Sequence, residues 1–78
     1  MIKEKMLSNK IVKLLTELRT QISPNEINLY IVNNMPYGVN GQTCLLENGD
    51  YHILISPENI NDYTLSHELL HIAIKKEM

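Results

Sequence analysis

Residues 48–71 read NGDYHILISPENINDYTLSHELLH, and the fold turns on how this stretch is divided. Asn48-Gly49 lies between two apolar runs, TCLLE at 43–47 and YHILIS at 51–56. Asn-Gly in that setting is a strong hairpin signal, so residues 43–47 and 51–56 are predicted to pair antiparallel. Pro57 to Asn61 reads as a loop. Asn61 and Asp62 both suit the cap of a final helix, predicted over 62–77.

Upstream, Ile2, Met6, Leu7, Ile11, Leu14, Leu15, Leu18 and Ile22 recur at three- and four-residue spacing. That is one apolar stripe of an amphipathic helix, predicted over 1–22. Pro24 ends it, because the residue before a proline is driven out of the helical region. INLYIVNN then alternates as a strand, and MPYGVNGQ carries the proline and glycines of a loop. The expected domain is α+β. It has an N-terminal helix, a strand and hairpin over 27–56 forming a three-stranded, mainly antiparallel sheet, and a C-terminal helix.

Composition narrows the function. The 78 residues form one domain with a modest aliphatic core, because the only aromatics are four tyrosines. A net charge of −2 does not suggest a surface for nucleic acid or an anionic membrane. Lys3, Lys5, Lys10, Lys13 and Arg19 fall on the first helix among Glu4 and Glu17, as a solvated face would. A single cysteine, Cys44, excludes an internal disulfide. No apolar run reaches the length of a membrane span or a signal peptide. The expectation is a soluble cytoplasmic protein.

The final helix carries HELLH, His67 to His71. With Leu65 at zero on a helical wheel, Leu69, Ile72 and Ala73 cluster near it, and Leu70 and Ile74 widen the apolar arc. His67, His71 and Glu68 fall at about 200°, 240° and 300°, a sector shared only with Lys75. Histidines at i and i+4 point the same way, so their ring nitrogens can occupy two corners of a tetrahedral Zn²⁺ site. Glu68 lies beside them and suits a general base toward water that the metal activates. No other histidine pair has this spacing, since His52 lies on the predicted hairpin.

The segment NGDYHILISPENINDYTLSHELLH, with its Thr64-Leu65-Ser66 lead-in and the strand HILIS, resembles the ImmA/IrrE family of zincin-like metallopeptidases. The similarity covers roughly residues 27–77, and Tyr63 to His71 is its most specific part. The resemblance implies a minimal zincin-like fold and a zinc-dependent endopeptidase acting on protein substrates such as a helix-turn-helix repressor. It implies a phage or mobile-element setting. It also implies His67 and His71 as zinc ligands, Glu68 as the base, and the hairpin strand Tyr51, His52, Ile53, Leu54 and Ile55 as the edge that takes an extended substrate.

The family's third, usually acidic ligand comes from a helix beyond the motif, and no residue here is assigned to that role. Glu77 follows His71 by six residues but stands about 120° from it on the wheel. His52, Glu58, Asp62 and Cys44 are the other donors, each with a simpler structural reading: an exposed hairpin residue, a loop acid, a cap and a small core residue. A second protomer could complete the site as a homo-oligomer. The alternative is a non-catalytic zincin-fold protein that acts by binding another protein.

Overall fold

A computed structural model describes the backbone of residues 6–77 and the side chains of residues 6–74. Helix α1 (Asn9–Ile22) is followed by strands β1 (Ile27–Ile31), β2 (Gly41–Leu45) and β3 (Tyr51–Ile55), a 3₁₀ turn over Pro57–Asn59, and helix α2 (Asp62–Glu77). The expected α+β order is present, with the HExxH sequence on the C-terminal helix. No helix among the described residues is long and apolar enough to cross a membrane.

Helix α1 begins later than its apolar stripe implied. Ser8 takes an extended conformation and its hydroxyl accepts the Ile11 N–H at 3.2 Å, which satisfies one of the free amides of the first turn. Residues 1–5 of the expected helix lie outside the described residues. At the other helix Asn61 is the cap: its side chain accepts the Thr64 N–H at 2.9 Å. Asp62 is thereby the first helical residue, where its charge faces the positive end of the helix dipole.

The strand order is β1-β3-β2, with β3 parallel to β1 and antiparallel to β2. Two expectations are corrected here. The sheet is mixed, one parallel and one antiparallel pairing, instead of mainly antiparallel. The strand Tyr51, His52, Ile53, Leu54, Ile55 is paired on both sides, so it is the centre of the sheet and not a substrate edge. The physical reason is burial: Ile53 and Ile55 are fully enclosed, whereas β2 (GQTCL) carries little apolar bulk and suits an edge. Among the described residues the edges are β1 and β2.

Residues opposite each other across a sheet share a face. One face therefore carries the rows Ile27–Tyr51–Leu45, Leu29–Ile53–Thr43 and Ile31–Ile55–Gly41. Against it pack Ile11, Leu15 and Leu18 of α1 and Leu65, Leu69 and Ile72 of α2, in a single core cluster. Each such aliphatic side chain contributes about 1.5–3 kcal/mol by leaving water. The other face carries Asn28, Tyr30, Gln42, Cys44, His52 and Leu54. His52 is half-buried there, edge-on to Tyr30 with ring centroids 4.9 Å apart, instead of solvent-exposed as expected.

The hairpin closes through Leu46 and Gly49, whose N–H groups donate to Asp50 O at 2.8 Å and Leu46 O at 3.0 Å. Gly49 has φ +93°, a region that favours glycine. Asp50 fastens this turn to the start of β1: its Oδ1 accepts the Glu26 N–H at 2.9 Å and the Asn25 amide at 3.3 Å, and its Oδ2 the Asn48 amide at 3.1 Å. The Glu26 amide foremost, opposed by partial desolvation and aided by Asn25, Asn48 and the charge of His52, holds the Asp50 carboxyl below its ordinary 3.8.

A lowered carboxyl stabilises the fold above the unfolded value, and that contribution is lost as pH falls through the folded value. Wild type is therefore expected to lose more stability than Asp50→Asn between about pH 5 and pH 2. Urea midpoints at the two ends of that range check it, and parallel losses in the two proteins would refute it.

Candidate metal centre

Helix α2 presents His67, Glu68 and His71 at the rim of the sheet beside β2. Leu65, Leu69 and Ile72 fix its rotation by facing the core, which turns both histidines outward and Glu68 toward β2. The imidazoles stand edge-to-face, centroids 4.9 Å apart at 90°. One ligand atom from each of His67, Glu68 and His71 lies within 4.8 Å of the others. Two imidazole nitrogens and a carboxylate oxygen form a donor set suited to Zn²⁺. The residues thus fit a metal of this class.

Glu68 is the anomaly among them. It is a carboxylate only 6% exposed, and burying such a group is costly unless it is hydrogen-bonded. Thr43 on β2 supplies that bond: its Oγ1 donates to Glu68 Oε1 at 2.7 Å, and lies 3.2 Å from the Glu68 carbonyl oxygen. Gly41 makes the room. A Cβ there would lie 2.8 Å from Ile55 Cδ1 and 3.4 Å from Glu68 Cγ and Oε2, so any side chain would have to displace the end of Ile55 and would fill the space against the carboxylate.

The other predicted donors are not brought to this site. Cys44 and His52 are on the opposite face of the sheet from α2. Glu58 is exposed in the 3₁₀ turn, and Asp62 opens the helix more than a turn before His67. The Glu77 side chain lies outside the described residues. Among the described residues the donor cluster is the HExxH set alone.

A cleft of ≈ 350 Å³ lies between helix and edge strand, lined by Gly41, Gln42, Thr43, His67, Glu68 and His71. A second depression of ≈ 370 Å³ shares Gly41, His67 and Glu68 with it and runs on to Tyr63, Thr64 and the loop Gly38–Asn40. Together they make one groove along β2. The register shows which backbone groups line it. Leu46 N–H donates to Asp50 O, and Ser56 N–H to Asn40 O, so even-numbered residues of this strand face β3. Antiparallel pairing alternates, so Gly41, Thr43 and Leu45 turn their N–H and C=O groups to the edge that is free among the described residues.

Thr43 and Gly41 were not anticipated as part of the site. A threonine and a glycine on a strand carry no distinctive signal, and only the register brings them beside Glu68.

The architecture and the His67-Glu68-x-x-His71 triad are consistent with a generic zincin-like HExxH motif. Comparisons with protein-family models, with curated proteins and with solved structures find no match.

Proposed function

We propose that this chain is a zinc-dependent metallopeptidase-like protein, an endopeptidase of the ImmA/IrrE type that acts on extended protein segments such as those of a repressor. The observation that supports this most is the joint placement of an outward i, i+4 histidine pair and an inward carboxylate along an open strand edge. His67 and His71 would hold the metal. Bound there, zinc supplies Lewis acidity toward the scissile carbonyl and toward water.

The remaining work falls to the chain. The free edge of β2 is the substrate strand's pairing partner, in place of the central strand that the family resemblance suggested. A peptide laid antiparallel or parallel on it meets the Gly41 and Thr43 backbone groups directly beside Glu68. Glu68 accepts a proton from the attacking water at a carboxylate oxygen and returns it to the leaving amine, so that the peptide C–N bond is replaced by a new C–O bond.

A second reading keeps the groove and drops the chemistry: the chain binds a protein strand without cutting it. It is favoured by the donor count, because two histidines and Glu68 are the whole cluster among the described residues. If Glu68 itself ligates, no base remains.

Elemental analysis of protein purified without chelator or added metal tests the shared premise. About one zinc per chain is expected, falling below about 0.1 in His67→Ala or His71→Ala. A wild-type value near zero would overturn the metal reading and leave the binding groove.

A further inference from the structure

We infer that Thr43 is a positioning residue for Glu68 and couples substrate docking on β2 to the orientation of the base; this rests on the peptidase reading above. Thr43 sits in the row Leu29–Ile53–Thr43 on the core side of the sheet, where a valine would pack as well as a threonine. What the hydroxyl adds is the 2.7 Å bond to Glu68 Oε1. A β-branched side chain has few χ1 choices, so the position of Oγ1 is set by the strand's backbone.

That same backbone lies at the free edge. Gly41 and Thr43 present N–H and C=O groups there, and both line the cleft with Glu68. A peptide strand that hydrogen-bonds to the Thr43 backbone therefore holds in place the residue whose hydroxyl meets the carboxylate. With Oε1 occupied by Thr43, Oε2 is the oxygen left for proton transfer, and Gly41 leaves the space beside it open. Thr43 thereby links the docking edge to Glu68, which transfers the proton.

The test uses the full chain. In metal-free protein the Thr43 hydroxyl proton should be visible by NMR in slowed exchange, and lost in Glu68→Ala. With zinc added and fluorescein-labelled casein as the probe, Thr43→Val should lower kcat about 10- to 100-fold with KM changed less than about threefold, whereas Thr43→Ser should restore kcat to within about threefold. A merely structural threonine would lose activity equally in the valine and serine variants, or in neither, and either pattern overturns the inference. Cleavage by wild type matched by Thr43→Val sinks this inference alone. A slowed hydroxyl proton in a wild type that cleaves nothing sinks the peptidase reading, and the contact is then structural.

Discussion

Glu68→Gln is expected to lower cleavage by about 10²–10⁴-fold while leaving zinc content at the wild-type value. Glutamine has nearly the same shape, and its amide oxygen can still accept the Thr43 hydroxyl that now meets Oε1 at 2.7 Å. It cannot take up the proton of the attacking water. The position is only 6% exposed, so removing the charge also removes a desolvation cost, and the variant should fold at least as well as wild type.

The two readings of the groove separate here. For a base, rate falls and metal stays. For a third ligand, metal content falls with the charge, because a neutral amide is a poorer zinc ligand than a carboxylate. For a chain that only binds, effects on its target survive the substitution. Zinc content and peptide hydrolysis measured on one preparation decide among them, and a Glu68→Gln protein as active as wild type would end the peptidase reading.

Much of this arrangement was legible in the sequence because it is local. The motif helix followed from a 3.6-residue pattern and its caps, and the sector holding His67, Glu68 and His71 followed from the wheel. The hairpin followed from Asn48-Gly49, although β2 lies two residues earlier than the apolar run suggested. What was not legible depends on neighbours in space. A period-two pattern tells which residues share a face but not which strand lies alongside, so the insertion of β3 between β1 and β2 was invisible. The consecutive apolar residues Ile53, Leu54 and Ile55 were the available hint of a central strand. The donor to Glu68 was hidden for the same reason: Thr43 is 25 residues away, and its part in the site depends on the register with Ile53.

Leu69→Ala is expected to destabilise the domain by about 2–5 kcal/mol. Leu69 is completely enclosed, on the face of α2 that also carries Leu65 and Ile72, and its loss leaves a cavity between helix and sheet. A domain of this length has about 5–10 kcal/mol of stability in all, so one such cavity removes a large share of it. Leu70→Ala, at a site 56% exposed on the same helix, should change stability by less than about 0.5 kcal/mol. The pairing of two adjacent leucines tests the rotation of α2 about its axis, on which the direction of His67, Glu68 and His71 depends. It also separates loss of the fold from loss of the ligands. A metal that binds the folded chain stabilises it by mass action, so excess zinc should draw Leu69→Ala back to the folded, metal-bound state. His71→Ala should not recover, because its deficit is a missing ligand. Urea denaturation of the four proteins with and without added zinc reads both effects. Equal losses in Leu69→Ala and Leu70→Ala would mean that the helix is turned differently and that the triad does not face β2.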